Sequence, residues 1–388
     1  MDSFSISYPT RVIFQENSIE QLPLRCGRFG NKALIITSRQ LFPESDVIEK
    51  IISVFNKSHI NCLLYDDLPA DANSNIVTEI ATLAKSSRCD FVIGLGGDVV
   101  LNCARGVALM CTNSGTASDY LTEQHGYRLK INRLPLPMVM IPANIGTLCE
   151  VSPGFVLTDA EDGIRKKLYS ESVYPSLTLL DPVFSSNLSK KYLAASGLLV
   201  LAYGIELLLS TASNNMSDMF ASKAIDLVYV NLPKAIKNPE NTEFRASLMS
   251  ASLMISYGVT CGMLGSVFSF CEALSSISPI YKGSIASIIL PQIMEYNLTS
   301  AASKYIQLIR VFGEDISDIS VLEAGIKAVE KVRLFVESFN IPGKLTDIGY
   351  EPNPNIDLWS VFSRFEEVKY LPRPIGQSDL TAIVEQSL

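Results

Sequence analysis

Short apolar runs punctuate the first half of the chain. Lys32–Thr37 (KALIIT), Asn61–Asp66 (NCLLYD), Asp90–Leu95 (DFVIGL), Pro137–Pro142 (PMVMIP) and Leu177–Pro182 (LTLLDP) are each bounded by Gly, Pro, Asp or Ser. Between them lie stretches such as residues 43–57 (PESDVIEKIISVFNK), with apolar residues near i, i+3, i+4 and i+7. Continuous apolar strands alternating with amphipathic helices predict a parallel sheet with helices on both faces. After Asp181-Pro182 the strand-like runs stop. Helical patterns follow over Lys191–Thr211, Glu243–Ser275, Gly283–Tyr296 and Ile319–Phe339. The expected architecture is an α/β domain over residues 1–184 and an all-helical domain over 185–388, with the cleft between them as the natural ligand site. The most apolar window, Ala194–Leu209, contains Glu206 and is short for a bilayer span of about 20 residues, so a buried core helix is expected and no membrane partner.

One stretch in this pattern carries a chemical signal. Phe91–Leu109 (FVIGLGGDVVLNCARGVAL) reads as a buried strand, a glycine turn and a helix. That order presents backbone N–H groups at a helix N-terminus, where a phosphate is favoured. Asp98, directly after Gly96 and Gly97, puts a carboxylate where the phosphate would sit.

Composition narrows the partners. The 388 residues are 47% hydrophobic and 19% charged, enough to build large cores and to exclude a disordered chain. The net charge of -8 argues against nucleic acid, which requires a clustered positive surface. Eight cysteines include no C-x-x-C pair, and several stand in apolar runs. With no basic segment leading into an apolar one at the N-terminus, these thiols point to a reducing, cytoplasmic setting.

The order and spacing of several segments carry a family resemblance. Tyr8–Pro23, the glycine turn, Leu134–Ser152, Thr178–Pro182, Gly197–Glu206 and Gly283–Asn297 together resemble the iron-containing alcohol dehydrogenases of the dehydroquinate-synthase-like superfamily, over nearly the whole chain. The resemblance implies a dinucleotide-binding α/β domain and a helical domain holding a divalent metal. It also implies hydride exchange with NAD(P) at an alcohol or carbonyl whose oxygen the metal polarises, and a homodimer.

Where this sequence departs from the family's motifs, the chemistry is in question. The family's glycine turn reads G-G-G-S-x-x-D-x-A-K. Here Gly96 and Gly97 are followed by Asp98 and Val99, then Asn102, Cys103, Ala104 and Arg105. A carboxylate about 4 Å from a pyrophosphate opposes binding by on the order of 1–4 kcal/mol, one to three decades of affinity. The second motif, I-P-T-T-A-G-T-G-S-E, becomes Ile141 to Glu150 with Asn144 and Thr147 as its remaining polar side chains. After the strand at Lys32, Ser38 and Arg39 stand where the family often places an acid on the adenosine ribose. A base there suits a 2′-phosphate and leans to NADP over NAD; a solvated turn is the equal alternative.

The metal motifs depart further. The family's ligand positions fall on Leu199, Tyr203, Phe268 and Lys282, with Glu272 at a neighbouring family histidine. Only His59 and His125 occur in the chain, both in its first half. Leu and Phe cannot coordinate, and Lys carries the wrong charge, so no metal is expected.

Two readings of the replaced site stand. A Lys282 ammonium beside the Tyr203 phenol would favour the phenolate, and the pair would act as the acid toward a carbonyl, with Glu272 and Glu206 as counter-ions. Alternatively, Leu199 and Phe268 fill the cavity, Tyr203 packs, and Lys282 pairs with Glu272 or snorkels outward. Cys149 and Cys271 have no histidine near them in sequence and are expected to be inert thiols. Three functions follow: a metal-independent NAD(P)H-linked reductase of a small carbonyl, a catalytically degenerate binding or regulatory subunit, and a cofactor-independent lyase, isomerase or condensing enzyme using the cleft.

Overall fold

The structure, a computed structural model, describes residues 4–39, 46–121, 128–186, 188–315 and 317–388. The beginning of the helix expected at 43–57 and His125 lie outside the described residues. Two compact units emerge, Ser7–Asn187 and Leu188–Leu388 with Met1–Ile6.

In the first unit the strands are β1 (Arg11–Phe14), β2 (Lys32–Ile36), β3 (Asn61–Tyr65), β4 (Phe91–Gly96), β5 (Met138–Pro142), β6 (Gly154–Thr158), β7 (Arg165–Tyr169) and β8 (Leu177–Leu180). Its helices are α1 (Leu22–Cys26), α2 (Val47–Lys57), α3 (Ser74–Ser86), α4 (Asp98–Thr112) and α5 (Ser118–Leu121). Six strands form a parallel sheet in the order β1-β8-β5-β4-β2-β3. Side chains alternate between its faces, as a pleated strand requires. Ala33, Ile35, Phe91 and Ile93 enter one apolar cluster with α1 and α2, while Leu34, Ile36 and Val92 enter another with α3 and α4. Burial on both faces is why these strands read as continuous apolar runs. An antiparallel ribbon, β6 with β7, was not expected; three of the five residues of β7 are Arg165, Lys166 and Lys167, which hide its alternation.

The second unit is all-helical among its described residues: α6 (Lys190–Leu209), α7 (Asn215–Lys237), α8 (Thr242–Gly258), α9 (Ser266–Ile277), α10 (Lys282–Asn297), α11 (Ala302–Val311), α12 (Val321–Glu337), α13 (Leu358–Phe362) and α14 (Gln377–Ser387). The apolar window belongs to α6, which is buried almost along its whole length inside the unit and is apolar all round for that reason. The single helix expected over Glu243–Ser275 is two, α8 and α9. Between them the chain turns where Gly262 packs so tightly that an added Cβ would lie 2.8 Å from Leu207 and Ser217. Helix α7 went unforeseen, its signal being the capping box formed by Asn214 and Ser217.

Candidate functional site

The chain leaves β2 for β3 on one side and returns to β4 on the other, so β2 and β4 flank the point where the strand order reverses. In open α/β sheets, ligands bind outside the carboxyl ends of the strands at that point. Here β2 leads to Ser38 and Arg39, and β4 to Gly96, Gly97 and Asp98. Thr37, which sequence reasoning missed, ties the two ends together by donating its hydroxyl to the Leu95 carbonyl at 2.8 Å. A threonine closing an apolar strand was the available signal.

Gly97 is the N-cap of α4, and its first-turn amides receive no capping side chain from that position. A Cβ at Gly97 would meet nothing nearer than the Asn144 Cβ at 4.0 Å, so the turn has room for a diphosphate to approach. Asp98 and Val99, both half-buried, begin the helix. The turn therefore fits a dinucleotide in backbone shape and opposes it in charge at Asp98. Ser38 bridges to Asp67, and the exposed Arg39 guanidinium is ion-paired with Asp66. The base expected to greet a 2′-phosphate thus already has an acid beside it.

The loop after β5 turns its polar atoms inward. The Ala143 amide donates to the Gly96 carbonyl (2.9 Å), joining this loop to the glycine turn. Asn144 Oδ1 accepts from the Ile145 amide (2.8 Å), Thr147 Oγ1 from the Cys149 amide (3.2 Å), and the Cys149 thiol donates to Asn102 Oδ1 (3.3 Å). Leu148 adopts φ 54°, a left-handed conformation that a side chain disfavours by about 1–3 kcal/mol. Arg105 holds it there. Fully buried in α4, its guanidinium donates to the carbonyls of Cys149, Ser152 (3.0 Å) and Gly154. Its sequence signal was a charged residue inside a helix otherwise buried on every side.

In the helical unit, Tyr192, Ser196, Leu199, Tyr203 and Glu206 recur at helical spacing along α6. Leu199 is 2% exposed, Tyr203 1% and Phe268 4%. The Tyr203 ring lies 6.1 Å from that of Phe268, which meets Phe365 edge-on at 5.9 Å. Lys282, the first residue of α10, donates from Nζ to Glu272 Oε1 of α9 at 2.8 Å. Their side chains are 11% and 1% exposed. Nearby, Tyr281 stacks on Tyr192 at 4.2 Å and shares a 2.7 Å hydrogen bond with Ser196. Cys271 donates its thiol to the Lys282 carbonyl at 3.4 Å.

Glu206 departs from its expected role. Rather than serving as counter-ion to Lys282, its carboxylate accepts the amides of Val267 and Phe268, the latter at 3.0 Å. Burial pushes its carboxyl up to about 7, against the pull of those amides.

The chemistry of these side chains does not suit a divalent cation. Leu199 and Phe268 have no donor atom, Lys282 is a cation already held by Glu272, and Tyr203 is packed against a ring. Among the described residues no three His, Cys, Asp or Glu side chains converge.

Comparison with known proteins agrees with this architecture. Residues 9–182 match the description "Iron-containing alcohol dehydrogenase", and 193–388 match "Fe-containing alcohol dehydrogenase family, C-terminal". A 1,3-propanediol dehydrogenase from Klebsiella pneumoniae is 26% identical over 348 residues, 89% of each chain. An NAD-dependent methanol dehydrogenase from Bacillus methanolicus is 22% identical over 382 residues, 98% of each. The solved structure of a 1,3-propanediol oxidoreductase superposes over the whole of both chains with a TM-score of 0.91 at 23% identity.

Proposed function

The chain belongs to the iron-containing alcohol dehydrogenase family, and on that premise we propose that it is an NAD(P)-linked oxidoreductase of small alcohols and carbonyls that works without a resident divalent metal. The reading is supported by one observation: Lys282 Nζ lies 2.8 Å from the almost wholly buried Glu272 carboxylate, at positions where the family resemblance implies histidines. Bound NAD(P)H would supply the hydride. The protein's own contribution is a fixed positive charge. Glu272, almost wholly buried, pairs with Lys282 and holds its Nζ in place. That ammonium stabilises negative charge developing on a carbonyl oxygen and gives it a proton. Burial of the pair, with side chains 11% and 1% exposed, strengthens it. Tyr203, sealed against Phe268, acts as packing in this scheme rather than as the acid.

A second reading, a non-catalytic family member, is favoured by the inward-turned loop. Asn144, Thr147 and Arg105 all bond within their own unit, and Asp98 disfavours a diphosphate. The two readings part in one experiment. NADPH and NADH are titrated by fluorescence into chelator-treated protein, and test aldehydes are then assayed. Micromolar binding, with turnover abolished in the Glu272→Leu/Lys282→Met double variant, supports the oxidoreductase. No detectable binding of either nucleotide at millimolar concentration leaves the non-catalytic member.

A further inference from the structure

Helix α9 carries both Phe268 and Glu272, yet nothing at its own N-cap secures it. Gly265 stands there and offers no side chain to the orphan amides of the first turn. Those amides are taken instead by a carboxylate from α6, 61 and 62 residues earlier in sequence. The contact is close: a Cβ on Gly265 would lie 2.9 Å from Glu206 Oε1, so the carboxylate would have to shift to admit one. On the other side, Glu206 abuts a cavity of about 10 Å³ lined by Ser210, Ser266, Asn297 and Tyr370, room for no more than a single water. A substrate does not fit there.

We propose that Glu206 is the positioning residue of the Lys282–Glu272 centre, gripping the first turn of α9 so that Glu272 is presented at the height and rotation that seat the Lys282 ammonium. For its catalytic meaning this rests on the reading proposed above. The geometry shows why a shorter solution would not serve. An Asp or Ser at position 265 would cap α9 locally and leave the helix free to slide along α6. A carboxylate rooted in α6, three residues after Tyr203, fixes α9 against the same face that carries Leu199 and Tyr203. Retaining a buried anion there, with Glu367 as a further repelling charge, is unfavourable, and a registering role gives it a reason.

The test uses the full-length protein with Glu206→Ala and Glu206→Gln. Amide exchange at Val267 and Phe268 is followed by mass spectrometry, alongside acetylation of Lys282 by acetic anhydride relative to the exposed Lys369. In Glu206→Ala both amides are expected to exchange about tenfold faster or more, since hydrogen bonds to a charged group are lost. Lys282 labelling should rise several-fold as its seat loosens. Glu206→Gln keeps one acceptor oxygen and should fall between Ala and wild type, a rescue that mere loss of stability would not produce. Should Glu206→Ala fail to fold, Glu206→Gln alone decides: Lys282 labelling equal to wild type overturns the proposal. A folded Glu206→Ala with unchanged labelling overturns it equally. If labelling and exchange move as expected while the wild type turns over no aldehyde, the oxidoreductase reading falls and the positioning role stands.

Discussion

Removing the Lys282 side chain should expose how the helical unit balances a deeply buried acid–base pair. Lys282→Met keeps the aliphatic volume and deletes the ammonium that lies 2.8 Å from Glu272 Oε1. At an effective dielectric near 20, a pair at such a distance is worth on the order of 4–6 kcal/mol before desolvation. Removing one partner of a buried pair costs about 3–5 kcal/mol, because the remaining charge loses its compensation. The two single variants should not be equal. Glu272 is 1% exposed and cannot reach water, whereas Lys282 is 11% exposed and its long stem can carry the ammonium outward. Lys282→Met should therefore destabilise more than Glu272→Leu. The double variant should regain most of the loss, since a buried pair replaced by apolar residues of similar volume is neutral or stabilising by about 1–4 kcal/mol. Urea unfolding followed by far-UV circular dichroism gives the free energies, and the melting temperature of Lys282→Met should drop by roughly 6–20 °C. A Lys282→Met variant within about 1 kcal/mol of wild type, or a double variant less stable than either single, would refute the reasoning.

Three further outcomes follow from the same geometry. Glu206 binds its proton more tightly in the folded chain, with its carboxyl raised from 4.5 to about 7. Its contribution is thus full below pH 4.5 and lost as pH rises through about 7, a fall on the order of 3 kcal/mol that Glu206→Gln should flatten in pH-dependent urea titrations. Arg105→Leu removes a donor from the carbonyls of Cys149, Ser152 and Gly154, the first two of them in buried contacts. A loss of roughly 3–5 kcal/mol is expected by thermal unfolding, and a loss below 1 kcal/mol would contradict the clamp. Finally, Asp66→Asn frees Arg39 from its acid, so the ratio of NADPH to NADH affinity should rise by about five- to tenfold in a fluorescence titration, and Arg39→Ala should lower it.

Most of the fold was readable because burial on both sheet faces leaves an unbroken apolar signature. KALII and FVIGLG could hardly be anything but central parallel strands, and their ends located the switch point. Elements defined by tertiary contacts were harder. Strand β7 carries Lys166 on its buried face and Lys167 on the half-buried one, and the break between α8 and α9 exists because Gly262 meets Leu207 and Ser217. At the site, the family resemblance singled out positions 199, 268 and 282, and the side chains Leu, Phe and Lys there are unsuited to ligation. Partner choice stayed open: one reading let Glu272 and Glu206 both serve as counter-ions and the other paired Lys282 with Glu272 or turned it outward, and the packing of α9 on α6 assigns one to the ammonium and the other to backbone amides. Arg105 shows the same limit, since its three acceptors are carbonyls, which leave no trace in the side-chain pattern.

The tight apolar seal formed by Leu199, Tyr203 and Phe268 also constrains how this protein can change over generations. An acidic or imidazole side chain introduced alone at position 199 or 268 would be buried without partners, at about 1–3 kcal/mol or more each. Domains with only about 5–15 kcal/mol in hand tolerate few such steps in succession. Substitutions at 199, 268, 272 and 282 are therefore bound to one another: each is deleterious by itself and acceptable only in company. A coordinating centre could be rebuilt here only by a coordinated leap, which makes the present arrangement a mutational trap rather than a waypoint.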